Sequence, residues 1–250
     1  MSTLQTLHLQ RNFGGLVATN DVSLTLEPGA RAALIGPNGA GKTTLINLLT
    51  GVLAPSAGRI LLDGQDITQL RPDQRASLGL VRTFQVNQLF ADLTPLMTIG
   101  LAISRRLGHD TQFWRRIGTS RKVVAEAVGI LERFGLADTF DTPTRELPYG
   151  RQRLLEIALA IACGPRVLLL DEPAAGVPES EREAILAGIA ALPEDVTVLL
   201  IEHDMDLVFR FAKRIAVLVN GALLTEGTAA EIAADPRVRA VYLGGDGSHG

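Results

Sequence analysis

The chain has a single cysteine, few aromatic residues and no long apolar run, and each shortage excludes a class of protein. One cysteine, Cys163, cannot form a disulfide within the chain, and its apolar neighbours Ile161 and Ala162 predict a buried thiol rather than a nucleophile. No apolar stretch approaches the roughly 18 residues that a membrane-spanning helix requires. Even the run Val196 to Ile201 ends at the charged residue Glu202.

Neither charge is in large excess, because the net charge is −3. This value and the aromatic content of 4% argue against a surface built to bind nucleic acid. Met1 to Gln5 do not combine a basic segment with an apolar one, so we expect no export signal and a cytoplasmic location. No metal-binding cluster is visible. With 250 residues, 46% of them hydrophobic, the chain is long enough to bury a substantial core.

The most informative pattern that is present runs from Gly36 to Thr43 and fits G-x-x-x-x-G-K-[ST] at every required position. Apolar residues Ala32 to Ile35 predict a buried strand before it, and the spacing of apolar residues from Thr44 to Leu49 predicts a helix after it. The glycines allow backbone N–H groups to point at an anion, and the helix adds the positive end of its dipole. We therefore predict a phosphate-binding loop, with Lys42 on the β- and γ-phosphates and the Thr43 hydroxyl on Mg²⁺. The alternative is a glycine-rich turn without a ligand.

The segments around this loop predict an α/β protein. Leu7 and Leu9, and then Val22, Leu24 and Leu26, alternate with polar residues and indicate an early β layer. Asn220-Gly221 indicates a hairpin within Val217 to Leu224. The continuous apolar runs Val167 to Leu170 and Val196 to Ile201 are typical of parallel strands covered on both faces.

Helical spacing with scattered charge runs from about Thr94 to Ala162 and predicts a helical insertion. Its basic pairs, such as Arg105-Arg106 and Arg115-Arg116, indicate either a solvated face or a contact to a lipid headgroup or partner. The glycine-rich end of the chain has nothing to bury, so residues 244–250 are predicted to fray.

Carboxylates and a histidine follow the two apolar runs. Asp171 and Glu172 come at the end of the first, where Asp171 can bind Mg²⁺ and Glu172 can orient the attacking water. His203 follows the second and is predicted at the carboxyl end of the sheet as a donor to the γ-phosphate. Gln85 can contact Mg²⁺ or the nucleophilic water. The competing interpretations are an exposed turn for the carboxylates, a core histidine and an ordinary surface amide.

In this order, the motifs closely resemble those of the nucleotide-binding subunits of ATP-binding-cassette transporters, over nearly the whole chain. That family has a phosphate loop, a glutamine loop, a signature helix, an apolar Asp-Glu strand and a switch histidine. The matching segments here are Gly36–Thr43, Gln85, Leu147 to Gln152, Asp171-Glu172 and His203.

Other segments are similar to the branched-chain amino-acid uptake branch, a pattern that the lipopolysaccharide-export ATPase partly shares. They are Phe13-Gly14-Gly15, Val81 to Gln85, Leu155 to Ala158, Asp171 to Gly176, Ile201 to Met205 and the ending Ala240 to Gly244.

The resemblance implies a phosphate-loop ATPase core with an N-terminal antiparallel β layer and a helical subdomain. It implies four segments: residues 1–93 with the β layer and phosphate-loop half, 94–162 with the signature helix, 163–243 with the catalytic half, and a flexible tail at 244–250. It also implies a dimer in which each ATP lies between the phosphate loop of one subunit and the signature motif of the other. Phe13 is then placed on the adenine, unless it is a core phenylalanine.

The motif and the resemblance together give the following predicted site. Residues contacting ATP are Phe13, Gly36, Pro37, Asn38, Gly39, Ala40, Gly41, Lys42, Thr43, Thr44, Tyr149 and Gly150. Catalytic roles are predicted for Lys42, Gln85, Glu172 and His203, and Mg²⁺ ligands for Thr43, Gln85 and Asp171. The implied partners are a second ATPase subunit, in a heterodimer or homodimer, two membrane permease subunits and, indirectly, an extracytoplasmic solute-binding protein, on the cytoplasmic face of the membrane.

The chain differs from the family pattern at residues that, by the resemblance, would contact the ATP bound to the partner subunit. Pro148, Tyr149 and Arg151 replace residues of the usual Leu-Ser-Gly-Gly-Gln signature, so the serine hydroxyl and one N–H are lost. Proline is tolerated at the start of a helix, so the signature helix is still expected to form. Pro178 stands where the family usually has Asp or Asn. These departures predict a heterodimer with one slow site.

The function indicated is ATP hydrolysis that powers import of branched-chain or related amino acids through separate permeases. The alternatives are lipopolysaccharide or lipid export, a soluble cassette ATPase acting on DNA or ribosomes, and a nucleotide-gated module that does not hydrolyse ATP. The absence of a long coiled coil and of a second cassette disfavours the soluble ATPase, and Glu172 and His203 disfavour the last alternative.

Overall fold

The computed structural model describes residues 3–83, 89–108 and 120–243. Predictions for Gln85, Arg115-Arg116 and the tail at 244–250 lie outside the described residues. Within them the chain has the mixed α/β architecture that the sequence pattern predicted. The strands are β1 (Leu4–Phe13), β2 (Leu16–Leu26), β3 (Arg31–Ile35), β4 (Ala57–Leu62), β5 (Gln65–Asp66), β6 (Leu80–Arg82), β7 (Val167–Asp171), β8 (Thr197–Ile201), β9 (Arg214–Val219) and β10 (Ala222–Gly227). The helices are α1 (Lys42–Thr50), α2 (Pro72–Ser77), α3 (Pro95–Arg106), α4 (Arg121–Arg133), α5 (Tyr149–Ala162), α6 (Glu179–Ala190), α7 (Met205–Phe211), α8 (Ala229–Ala234) and α9 (Pro236–Leu243).

The chain divides into two compact units. The first comprises Met1–Leu80, Arg166–Glu172 and Glu194–Gly250, and it holds every strand except the last two residues of β6. The second comprises Val81–Pro165 and Pro173–Pro193, and it holds helices α3 to α6. The segment boundaries at residues 93, 162 and 243 that the resemblance implies differ from these and stay a prediction.

One sheet of the first unit is antiparallel, with the strand order β2-β1-β4-β5. The alternation that predicted it is interrupted by a bulge, because the β1–β2 register shifts between Thr6 and Leu9. His8 within the bulge has φ 51°, a conformation that non-glycine residues rarely adopt. Leu9 is therefore fully buried, whereas Leu7 is only half-buried. The sequence pattern predicted the β layer and missed its bulge.

The other sheet has the strand order β10-β9-β3-β8-β7-β6, with the phosphate-loop strand β3 between β8 and β9. β3 pairs in parallel with both neighbours, and β7 pairs in parallel with β8. Every residue of β7 and β8 is buried, as their continuous apolar runs predicted. The predicted hairpin joins β9 to β10 through Asn220 and Gly221, both with positive φ. Because parallel strands point the same way, the carboxyl ends of β3, β7 and β8 meet at one edge.

A buried arginine stabilises the end of the helix that follows the phosphate loop. Arg75 of α2 is 1% exposed, and its guanidinium donates to the carbonyls of Leu48 and Leu49 at 2.6 and 2.7 Å. It also donates to the carbonyls of Thr68 and Leu70 at 2.8 and 2.9 Å. The last carbonyls of a helix have no partner within the helix, so this side chain satisfies groups that would otherwise be buried without one.

We expect Arg75→Met to lower the free energy of unfolding by roughly 2–5 kcal/mol, because methionine fills a similar volume but leaves those carbonyls without a charged donor. Urea unfolding followed by circular dichroism measures this loss. Arg71→Met is the matched control, since Arg71 is exposed and its ion pair with Asp73 lies on the surface. Equal midpoints for the two variants would contradict the stabilising role of Arg75.

Apart from Val81 and Arg82 of β6, the regular structure of the second unit is helical in its described residues, which agrees with the predicted insertion. Contacts join α3 to α4 and α5, and α5 to α6, and Ile99 and Ile103 of α3 and Leu155 of α5 are fully buried. One prediction in this region is wrong, because Cys163 is exposed. Helix α5 ends at Ala162, so Cys163 lies past the last residue of the helix and is not held on its buried face.

Candidate functional site

The phosphate loop connects β3 to α1, as predicted. Two of its glycines allow backbone approaches that no side chain permits: a Cβ on Gly36 would lie 2.2 Å from the Leu218 carbonyl oxygen, and one on Gly41 would lie 2.6 Å from that of Ala18. Gly41 also has φ 100°, in the region that favours glycine. The loop is therefore packed tightly against β2 and β9 of its own unit.

Backbone hydrogen bonds fix the loop in place. The Gly221 amide in the β9–β10 turn donates to the Ala40 carbonyl at 2.8 Å, and the Gly221 carbonyl accepts from the Asn20 amide at 2.7 Å. Asn38 and Gly39, between these supports and β3, are exposed. Hydrogen bonds and close packing thus fix the two ends of the loop, while its tip at Asn38 and Gly39 is exposed to solvent.

Lys42 folds back over the loop. Its ammonium donates to the carbonyls of Gly36 at 2.6 Å and Pro37 at 3.1 Å. Burial lowers the pKa of this ammonium, while the carboxylates of Glu172 and Asp171 act in the opposite direction. A partly desolvated cation next to the loop has the chemistry that a polyphosphate requires.

The two carboxylates at the end of β7 have different surroundings. Asp171 is 6% exposed, and Glu172 follows the strand with a side chain that is 24% exposed. Glu172 has φ 45°, and its amide donates to the Ile201 carbonyl of β8 at 2.9 Å. A φ of this kind is rare for a residue other than glycine, and such backbone strain is common at functional sites.

The side chain of His203, just beyond β8, is 66% exposed. Its Nδ1 lies 3.9 Å from Oε1 of Glu172 and 3.7 Å from Oε2 of Glu202. The prediction that His203 emerges at the carboxyl end of the sheet is confirmed, and the alternative of a core histidine is wrong. Lys42, Asp171, Glu172 and His203 are thereby gathered at one edge of the sheet.

The residues predicted to hold Mg²⁺ supply suitable ligands. Thr43 offers an exposed hydroxyl in the first turn of α1, and Asp171 offers a carboxylate at the end of β7. Hard oxygen ligands of this kind, few in number and completed by water and phosphate, are those that Mg²⁺ prefers. The described residues contain no group of three His, Cys, Asp or Glu side chains that could hold a metal by themselves.

Phe13 lies at the tip of the β1–β2 hairpin and is 43% exposed, so the alternative of a core phenylalanine is wrong. The Arg11 guanidinium covers one face of its ring at 4.6 Å from the centroid. Leu16 and Val17 beside it are also exposed, and β2 continues from them to Ala18, which contacts Gly41 of the phosphate loop. This apolar hairpin surface is compatible with a flat aromatic ligand, and the adenine contact stays a prediction.

Tyr149 and Gly150, the predicted signature residues, lie in the second unit at the start of α5. Pro148 precedes the helix, as the tolerance of proline at a helix start predicted, and it gives no side-chain cap. The Gly150 amide donates instead to Oε2 of Glu181 on α6 at 2.7 Å. A Cβ on Gly150 would lie 2.2 Å from that oxygen and 3.0 Å from Cβ of Glu181, so the Glu181 side chain would have to move if residue 150 were larger. The cap of the signature helix therefore comes from α6.

A buried ion pair supports the same helix. Arg153 donates to Glu156 at 2.7 Å, their side chains are 4% and 10% exposed, and the Arg153 guanidinium lies 5.4 Å from the centroid of the Tyr149 ring. Burial opposes the charge of Arg153, but the bond to Glu156 outweighs it and the pKa of Arg153 is raised. Arg151 is held by Asp138 at 2.5 Å, and this bond lowers the pKa of Asp138.

Sequence reasoning missed Glu181, Glu202 and the Arg153–Glu156 pair. Glu202 carried one signal, a carboxylate directly after a buried strand, which is the pattern that identified Asp171 and Glu172. Glu181 carried none, because its contact with Gly150 joins residues 31 positions apart.

Known proteins are similar to this chain in sequence and fold. A profile of the ABC transporter family matches residues 19–175, and a profile described as branched-chain amino acid ATP-binding cassette transporter matches residues 222–248. The chain is 41% identical to the high-affinity branched-chain amino acid transport ATP-binding protein BraF of Pseudomonas aeruginosa, covering 96% of this chain and 97% of the relative. It is also 41% identical to the corresponding protein LivG of Escherichia coli, covering 94% and 95%.

A solved structure of an ATP-binding cassette of an ABC transporter in its ADP conformation is 32% identical to this chain, with a TM-score of 0.83. That alignment covers 98% of this chain and 99% of the solved one. Because the family profile spans more than half of the chain and these relatives align over nearly all of it, the chain belongs to the ABC transporter family, as an ATP-binding subunit and an ATPase coupled to transport.

Proposed function

We propose that this chain hydrolyses ATP to power the import of branched-chain or related amino acids through separate membrane subunits. The observation that carries the substrate class is the match of residues 222–248 to the branched-chain profile, supported by relatives named for that transport. The described residues include no helix that is long and apolar enough to cross a bilayer.

The proposed chemistry follows from the edge of the sheet. The amides of the phosphate loop bind the phosphates, and the Lys42 ammonium exchanges the Gly36 and Pro37 carbonyls for phosphate oxygens. Glu172 orients the attacking water and accepts its proton, while His203 donates to the terminal phosphate. Thr43 and Asp171 are the proposed ligands of Mg²⁺, which neutralises charge on the phosphates when bound. Gln85 and the adenine contact of Phe13 belong to the same proposal.

The proposed assembly has a second ATPase subunit and two permease subunits, with a solute-binding protein outside the membrane. In it, Tyr149 and Gly150 face the ATP of the partner ATPase, and this chain lies on the cytoplasmic face. The Gly150 amide is already bonded to the Glu181 carboxylate, which places negative charge where that ATP would bring its phosphates. The contact supports the proposed asymmetry, in which the site completed by this signature turns over slowly.

Purification through a tag on this chain tests the function. We expect permease subunits and a second ATPase to co-purify, and leucine to accumulate in liposomes only with ATP and the matching solute-binding protein. The same complex carrying Lys42→Ala is the control. Stimulation of ATP turnover by a lipid instead of an amino acid would overturn the proposal and favour an export system.

We expect Pro148→Ser to raise turnover at the slow site up to about tenfold, because serine restores a hydroxyl and an N–H at the start of α5. The measurement uses the complex with Glu172→Gln, which silences the site on this chain and leaves the reciprocal one. Pro236→Ser is the matched control, since Pro236 is an exposed proline at the start of α9. An unchanged rate in the Pro148 variant would count against the asymmetry.

A further inference from the structure

The turn after β8 contains a buried carboxylate directly before an exposed histidine. The Glu202 side chain is 1% exposed, whereas that of His203 is 66% exposed. Oε2 of Glu202 accepts from the amide of His203 at 3.0 Å and from the amide of Asp204 at 3.4 Å. The buried side chain thus holds the backbone that bears the exposed imidazole.

Stability alone is a poor reason for a carboxylate at this position. Burying an ionised group is costly, and buried ionic groups are often replaced by apolar ones of similar volume with no loss of stability. An apolar residue would also continue the run of β8, in which every residue is buried. What a carboxylate adds is directional, because it fixes two successive N–H groups with charge-assisted hydrogen bonds.

The turn is fixed on both sides of His203. Asp204 caps α7, since its Oδ1 accepts from the amides of Asp206 at 3.1 Å and Leu207 at 3.3 Å. Ile201, immediately before Glu202, accepts from the amide of Glu172 at 2.9 Å. The backbones that carry Glu172 and His203 are therefore tied together at the ends of neighbouring strands.

The imidazole itself is not held by a hydrogen bond to either carboxylate. Its Nδ1 lies 3.7 Å from Glu202 and 3.9 Å from Glu172, beyond the usual range for such bonds. Its position 3.9 Å from Glu172 is therefore set by the turn that Glu202 organises. A displacement of about 1 Å at a reacting group is enough to cost up to about a hundredfold in rate.

We propose that Glu202 is a positioning residue for ATP hydrolysis, which fixes the switch turn so that the imidazole of His203 stays next to Glu172. The inference rests on the roles proposed above for His203 and Glu172. It assigns no contact between Glu202 and ATP, so Glu202 acts on turnover and leaves nucleotide binding unchanged.

The test compares Glu202→Leu, which removes the acceptor, with Glu202→Gln, which keeps one oxygen in the same place. In the purified transporter complex we expect Glu202→Leu to lower kcat by about 10–100-fold with KM for ATP within about twofold of wild type, and Glu202→Gln to lose less than about fivefold. Asp206→Asn is the matched control, because this carboxylate lies close by, in the first turn of α7, but is exposed, and its variant should stay within about twofold of wild type. If the leucine variant does not fold, Glu202→Asp takes its place, since its shorter side chain withdraws the acceptor.

A double-mutant cycle separates positioning from a general loss of structure. We expect Glu202→Leu to cost less than about twofold when added to His203→Ala, because the residue through which it acts is already gone. A further tenfold loss in that background, or full activity of Glu202→Leu alone, would overturn the inference. If His203→Ala itself keeps full activity, the proposed role of His203 fails first, and this result is distinct from either of those.

Discussion

Glu172→Gln is expected to reduce ATP turnover at this subunit by about 10²–10⁴-fold, while MgATP still binds. Glutamine matches the shape of glutamate, so the turn after β7 and its bond to Ile201 are kept. The carboxylate that accepts the proton of the attacking water is lost, and general-base catalysis contributes about this factor. Single-turnover hydrolysis in the purified complex measures the rate, and calorimetry measures the affinity.

Glu179→Gln is the matched control, because Glu179 is an exposed carboxylate at the start of α6. Comparison with the equivalent change in the partner ATPase tests the asymmetry as well. A larger loss with the change in this chain supports a fast site built on Lys42 and Glu172. Equal losses would remove the asymmetry and keep the assignment of Glu172, whereas full activity of Glu172→Gln would contradict that assignment.

Lys42→Ala is expected to weaken MgATP binding by at least about 10–150-fold. This range corresponds to one charge-assisted hydrogen bond of about 1.5–3 kcal/mol. The ammonium lies within hydrogen-bonding distance of two loop carbonyls, so it is already positioned at the loop before nucleotide arrives. Calorimetric titration of the purified chain with MgATP measures the change.

Lys213→Ala is the matched control for charge, because Lys213 is exposed just before β9 and lies outside the phosphate loop. The free energy of unfolding should also be compared, since Lys42 bonds to its own loop. If Lys42→Ala binds MgATP as tightly as Lys213→Ala in a folded chain, the phosphate-loop assignment is wrong.

Much of the fold was predictable because its signals are local. The buried runs of β7 and β8, the Asn220-Gly221 turn and the helical spacing after residue 94 each depend on a few neighbouring residues, and all three agree with the structure. The sequence pattern missed one feature and gave one wrong prediction, and both concern details that depend on packing between distant parts of the chain. The bulge at His8 depends on how β1 pairs with β2, and the exposure of Cys163 depends on where α5 ends.

By itself, the sequence determined the phosphate loop, the acidic ending of β7 and the histidine after β8, because each is a short pattern whose chemistry follows from adjacent residues. Only the tertiary structure decided that Arg75 donates to the last carbonyls of α1 and that Glu181 caps the signature helix. The same holds for the burial of Glu202, which accepts from the amide of the exposed His203. Arg75 and Glu181 satisfy backbone groups far away in the chain. For Glu202 the sequence shows the neighbouring amides, but which side chain is buried against them depends on how β7 and β8 pack. Such charges find their partners only when the whole core has formed.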